Sequence, residues 1–141
     1  MTLAEVVHTF GRYMKNCHGQ RVHKIAIDAG FTCPNRDGTK GTGGRTFCNN
    51  RSFSPNGRKA AATADQIDAG RRVISRRTGA QRFLAYFQAY TNTYDQPERL
   101  RALYDEALAQ EGVIGLSIGT RPDCVPEPVL DLLAEYRARA L

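Results

Sequence analysis

The stretch "RVHKIAIDAGFTCPNRDGTKGTGGRTFCNNRSF", residues 21–53, sets the reading of the whole chain. It begins as a short strand, 22–31, whose apolar residues alternate. It then opens into a glycine-bearing loop that runs over roughly 32–62. Five of the 13 glycines fall between Gly30 and Gly44, and Asp37-Gly38 is a turn signature. Gly38, Gly41, Gly43 and Gly44 permit positive φ and a close approach of backbone to a ligand. Cys33 and Cys48 flank them, as in a loop built to wrap a metal group. The alternative is a plain surface turn. A phosphate loop is excluded, because no Gly-Lys-Ser/Thr follows the glycines.

Outward from this segment the chain alternates. Residues 2–16 carry Leu3, Val6, Val7, Phe10 and Met14 at helical spacing and predict one leading helix. "TADQIDAGRRVISRRTG" predicts a helix capped by Thr63 or Asp65, with Arg76 and Arg77 at its negative end and Gly79 as its stop. "QRFLAYFQAYTNTY", residues 81–94, is a strand running into a polar loop. "QPERLRALYDEALAQEG", residues 96–112, is a helix with Pro97 in its first turn and Gly112 at its end. "VIGLSIGTRPD", 113–123, is a buried strand, and "PEPVLDLLAEYRARAL" is a helix. Strands are expected near 23–30, 83–91 and 113–119.

Strand, loop and helix thus recur three times after a helical lead-in, the pattern of a parallel sheet with helical crossovers. In such folds sites form at the C-terminal ends of the strands. Three places qualify: the loop after Phe31, "AYTNTY" and "GTRPDC". At the second, Thr91, Asn92 and Thr93 offer hydroxyl and amide groups, or form a polar turn that starts the next helix. At the third, Ser117, Thr120, Arg121 and Asp123 face a ligand, or Arg121 and Asp123 pair to shape the loop. Tyr86, Phe87, Tyr90 and Tyr94 read as core and rim packing. His8, His18 and His23 have no ligand spacing.

The chain has 141 residues, the length of one modest domain, and a hydrophobic content of 41% that can build a core. No apolar run approaches membrane-spanning length, and the first residues lack the apolar centre of a signal peptide. A cytoplasmic protein is expected, with thiols reduced, so the four cysteines point to metal or reactive thiols before disulfides. Net charge is +6. Arg71, Arg72, Arg76 and Arg77 share one helix, which reads as a solvated face or as a contact for tRNA or other RNA.

Three segments carry a family resemblance: the quoted stretch 21–53, "YFQAYTNTY", and "SIGTRPDCVPEPVLDLL". They resemble the YhcC-type radical SAM proteins, relatives of the Elongator catalytic subunit, from about Arg12 to the last residue. The resemblance implies a partial (β/α) barrel of the radical SAM type, with about three parallel βα units present. It also implies a [4Fe–4S] cluster and S-adenosyl-L-methionine, cleaved reductively to a radical. Cys33 and Cys48 match the first and third cluster ligands. Thr91, Asn92 and Thr93 match the segment that binds the methionine part of the cofactor, and Arg121 is placed to meet its carboxylate or ribose.

Two departures follow. Arg45 stands where the second cluster cysteine belongs. A guanidinium stays protonated and has no lone pair to give, so it cannot ligate iron. Clusters are held by thiolates, about one per iron, and a cluster that also chelates S-adenosylmethionine needs three. Cys124 is at the right edge to replace the missing thiolate, or is a buried packing thiol like Cys17. The second departure is that only three of about six strands are visible. The expected organisation is a helical lead-in, 1–21, and a truncated core, 22–141, with an open sheet edge through which the chain self-associates. Two functions stand: an enzyme of cluster- and S-adenosylmethionine-dependent radical chemistry, and a non-catalytic remnant with a broken cluster site.

Overall fold

The computed structural model describes residues 2–44, 46 and 61–139. The fold is α/β, with three parallel strands in the order β1–β2–β3: β1 is Val22–Ile27, β2 is Arg82–Phe87 and β3 is Val113–Ile118. Helices α1 (Leu3–Val6) and α2 (Phe10–His18) precede β1. Helix α3 (Thr63–Thr78) leads to β2, α4 (Pro97–Leu108) to β3, and α5 (Glu127–Arg139) follows a single 3-10 turn at Pro122–Cys124.

Alternation of side chains sends one set of strand residues into the core. Ile25, Ile27, Phe83, Ala85 and Phe87 are at most 2% exposed, and they pack on Ile67 of α3 and on Leu100, Tyr104 and Ala107 of α4. Val129, Leu132 and Tyr136 of α5 complete the same cluster. Tyr104 sits edge-on to both Phe87 and Tyr136, with ring centroids 5.3 and 5.8 Å apart. The register is continuous between β1 and β2, from Val22 opposite Arg82 to Ile27 opposite Phe87. Between β2 and β3 it slips once, at Phe83/Leu84. The described residues form an open sheet rather than a closed barrel.

Several boundaries differ from the sequence reading. The leading helix is broken. Thr9, extended at ψ 149°, accepts the Arg12 N–H and starts α2 afresh, so Val6, Val7 and Phe10 stay exposed while Met14 is buried. Strand β2 stops at Phe87, four residues short of its expected end, because the chain turns at Tyr90, a non-glycine residue with φ 66°. Helix α3 is capped by neither Thr63 nor Asp65: its N-cap is Ala62 and makes no side-chain cap bond. Its end is held by tertiary contacts instead. Glu106 of α4 accepts the Ala64 N–H at 3.0 Å, and buried Gln66 bonds both the N–H and the carbonyl of Asp28. Gly79 does stop α3, at φ 71°. Helix α4 ends at Leu108, and Gly112 (φ 79°) forms the turn into β3, where an added Cβ would lie 2.7 Å from the Gln81 carbonyl oxygen.

Among the described residues no helix is long and apolar enough to cross a membrane.

Helix α3 approaches β1 most closely at Gly70, where an added Cβ would lie 2.5 Å from Cγ2 of Ile25, a residue 2% exposed. Alanine favours an exposed helix interior over glycine by about 1 kcal/mol, but here it overpacks a rigid β-branched neighbour. Gly70→Ala is expected to lower stability by about 1–3 kcal/mol in urea unfolding. An unchanged or raised midpoint would show that α3 can shift away from the sheet.

Among the described residues, strands β1 and β3 are both free edges. All six residues of β3 are half-exposed. Beside it runs an apolar groove of about 290 Å³, lined by Leu108, Ile114, Leu116, Ile118, Leu133 and Tyr136. Unpaired edges of this kind template association. The isolated chain is expected to self-associate with rising concentration in analytical ultracentrifugation. A monomer with one sharp, concentration-independent melt would contradict this.

Candidate functional site

Because the strands are parallel, the segments after β1, β2 and β3 emerge at one edge of the sheet. Asn92 joins the ends of β2 and β3. It is fully buried, and its Nδ2 donates to the carbonyls of Phe87 (3.0 Å) and Gly119 (2.9 Å) while its own N–H donates to Gly119 as well. Those two acceptors fix the amide orientation, which leaves the buried Oδ1 without a donor. The Tyr104 hydroxyl closes the arrangement by donating to the Asn92 carbonyl at 2.7 Å. Thr93, 1% exposed, donates its hydroxyl to the Cys124 carbonyl and bonds the Thr120 hydroxyl. Thr91, 2% exposed, donates its N–H to the Thr32 carbonyl, tying the loop after β2 to the loop after β1. All three polar residues of "TNT" are therefore buried and bonded to neighbouring strand ends, as the ties between the three loops.

The glycine loop itself is shaped as its composition suggests. Gly38, Gly43 and Gly44 take φ of 94°, 79° and 84°, while Gly41 keeps an ordinary backbone. Asp37 accepts the Thr39 N–H at 2.9 Å, and Asp37 bridges to Thr42. A side chain at Gly44 would meet Arg36 Nε at 2.9 Å. Arg36 in turn lies over the Tyr90 ring, 5.1 Å from its centroid, and Thr39 shares a hydrogen bond with the Tyr94 hydroxyl.

Across this edge runs a clasp of charges. Arg121 forks onto Asp123, with Nε to Oδ1 at 2.9 Å and Nη2 to Oδ2 at 2.7 Å, and its Nη1 donates to Asn35 Oδ1. Lys40 completes the clasp from the glycine loop, with Nζ 2.6 Å from Asp123 Oδ2. The Arg121 hydrogen bonds, followed by that of Lys40, hold the Asp123 carboxyl far below the usual carboxylate range. The same pairing raises Arg121. Burial pushes the Cys124 thiol up, and it is 5% exposed.

Of the residues singled out in the sequence, Cys33, Thr91, Asn92, Thr93 and Arg121 meet at this edge. Arg45 and Cys48 lie outside the described residues. Cys33 is half-buried, and Cys17 is exposed on α2 rather than packed away. Among the described residues no group of three or more His, Cys, Asp or Glu side chains could hold a metal ion. Those residues therefore do not by themselves fit a four-iron cluster. Asn35 and Lys40 were not anticipated, because their partners lie 86 and 83 residues away and no local pattern announces such a pair. The basic helix is partly neutralised: Arg71 bonds Asp68 and Glu111, and Arg72 bonds Asp68.

Fold and site together define an α/β chain of three parallel βα units with a polar, cysteine-bearing edge. It is 47% identical over 137 residues to Protein YhcC of Escherichia coli K12, a match covering 97% of this chain and 43% of that protein. Uncharacterized protein YtqA of Bacillus subtilis is 41% identical over 136 residues, covering 94% of this chain and 41% of that protein. Uncharacterized protein MJ0486 of Methanocaldococcus jannaschii is 36% identical over 129 residues, covering 90% and 39%. The chain spans about two fifths of the length of these curated relatives. No protein-family model matches it. No solved structure matches it.

These findings correct the family assignment drawn from the sequence. That assignment was the N-terminal half of a YhcC-type radical SAM protein related to the Elongator catalytic subunit. No radical SAM family model matches the chain, and the names of its relatives carry no such activity. What stands is similarity to YhcC, YtqA and MJ0486 across nearly the whole chain.

The clasp makes the edge pH-sensitive. A carboxyl held below its unfolded value near 3.9 stabilises the fold above that pH, and the contribution is lost as pH falls through the lower folded value. Below about pH 4 the wild-type melting temperature is expected to fall more steeply than that of Asp123→Asn, which lacks the titrating group. At neutral pH the variant is expected to be cut faster by trypsin at Lys40 and Arg36. Equal cleavage rates and parallel pH profiles would show that the loop does not depend on Asp123.

Proposed function

We propose that this edge is a site for S-adenosylmethionine beside an iron–sulfur cluster, arranged for radical chemistry but one ligand short. The chain as it stands then holds a cluster poorly and does not complete the reaction. The observation that carries this reading is the convergence of Cys33, the left-handed glycines and Arg121 on one strand edge, with Asn35 only two residues from Cys33 bonded to Arg121. Cys48 would add a second thiolate from the same loop, and Arg45 supplies none. The finer architecture in this reading is a partial (β/α) barrel in which further strands would cover the free edge of β3. No step through the cluster is derived, because the described residues do not assemble its ligands.

The binding of S-adenosylmethionine is also limited by the edge itself. The guanidinium of Arg121 is already shared between Asp123 and Asn35, and Thr93 is buried, so a ligand carboxylate must compete with existing bonds. RNA contact through α3 is the less favoured reading, since Arg71 and Arg72 are engaged by acidic neighbours.

Anaerobic reconstitution with iron and sulfide tests the proposal. The unmodified chain is expected to retain little cluster. Arg45→Cys, which restores a third thiolate and removes a fixed positive charge, is expected to retain appreciably more, measured as bound iron and sulfide. If the unmodified chain already binds close to four irons and Cys124→Ser abolishes it, Cys124 is the missing ligand and the site is not short. If neither version binds iron, the reading of this loop as a cluster site is wrong.

A further inference from the structure

The sheet has a second face, turned away from α3, α4 and α5. It presents Lys24 and Ala26 of β1, Leu84 and Tyr86 of β2, and Gly115 and Ser117 of β3, in register as Lys24–Leu84–Gly115 and Ala26–Tyr86–Ser117. Parallel sheets are normally covered on both faces. Here the five residues other than Lys24 are half-exposed and Lys24 is exposed. The residues in the same strands that face the helices are at most 2% exposed at Ile25, Ile27, Phe83, Ala85 and Phe87.

Lys24 is held between two aromatic rings, its Nζ 4.6 Å from the centroid of Phe10 and 4.8 Å from that of Tyr86. Among the described residues no carboxylate pairs with it, and it is set apart from the other cations without an acidic partner by its contact with two rings. Ring contacts orient an ammonium without neutralising it. The ammonium is thus set against two rings, on the same face as the half-exposed Ala26, Leu84 and Tyr86, with the Leu84 side chain lying against Gly115. Phe10, 48% exposed, offers a ring at the rim.

We propose that this face binds a flat aromatic anion of the nucleoside-phosphate type. The phosphate meets Lys24, and the ring system lies on the Leu84–Tyr86 floor beside Phe10. Charge and surface agree, because stacking is favoured by the aromatic walls and the anion by a cation with no internal partner. The site is on the sheet face and uses none of Cys33, Thr91, Asn92, Thr93 or Arg121, so it does not depend on the reading of the strand edge.

The probe is AMP, measured by isothermal titration at low salt, with adenosine and inorganic phosphate as the two halves of the ligand. AMP is expected to bind with a Kd below about 1 mM. Each half should bind at least tenfold more weakly. Lys24→Met, which keeps the stem and removes the charge, is expected to weaken AMP at least tenfold, while Lys24→Arg retains it. Tyr86→Leu is expected to weaken AMP and leave phosphate unchanged. Arg121→Gln should leave AMP binding as it was. The proposal is overturned if AMP does not bind, if Lys24→Met binds it as well as wild type does, or if Arg121→Gln abolishes it and so places the ligand at the strand edge. Binding of single-stranded RNA with none of AMP would also overturn it.

Discussion

One buried amide governs the polar edge. Asn92 has no exposure and holds the Phe87 carbonyl at the end of β2 to the Gly119 carbonyl just after β3 through its Nδ2, while Tyr104 fixes its backbone from the helical layer. Two carbonyls accept from the Asn92 Nδ2 and so dictate its orientation, which leaves Oδ1 without a donor and sets the path of the chain on either side. Thr91 is thereby placed to reach Thr32, and Thr93 to reach Cys124. The three loops converge because the strand ends are stitched, and the helical core below supplies the rigid point from which the stitch is made.

Much of this was legible in the sequence, and the limits of legibility are physical. The three strands and the helices between them announce themselves through alternation, glycine stops and proline starts. The edge to which Cys33 and Arg121 belong follows from parallelism alone. Helix 2–16 was misread because its apolar spacing is genuine but local, and Thr9 offers a cap that interrupts it. The start of α3 was misread for the opposite reason: Gln66 and Glu106 do from a distance what a capping side chain would do locally. "TNT" reads in the sequence either as ligand-facing or as a polar turn, and the fold buries all three residues and ties them to the neighbouring loops. Asn35 and Lys40 carry no signal at all in the sequence, since an asparagine and a lysine in a loop are ordinary until their distant partners are known.

The charge clasp and the glycine loop constrain each other. Asp123 draws one cation from its own loop and one from the loop after β1, and Arg121 spends its remaining donor on Asn35. Such a closed set leaves few free donors for a bound molecule at the edge. The opposite holds on the other sheet face, where Lys24 has rings but no counter-charge. The cations at the strand edge thus shape the backbone, while Lys24 is among those that keep their charge free of an acidic partner.

The clasp also has a temporal meaning. Its two halves are separated by 83 and 86 residues, with the whole of α3, β2, α4 and β3 between them. Contacts of such separation form late, after local elements have docked and shortened the loop to be closed. During synthesis the segment 33–44 leaves the ribosome long before Arg121 and Asp123 exist to receive it. Until β3 is laid against β2, the Cys33 region has its local turns and its ties to the loop after β2 but lacks the clasp to Arg121 and Asp123. The order of folding therefore closes the charged side of this thiol's loop last.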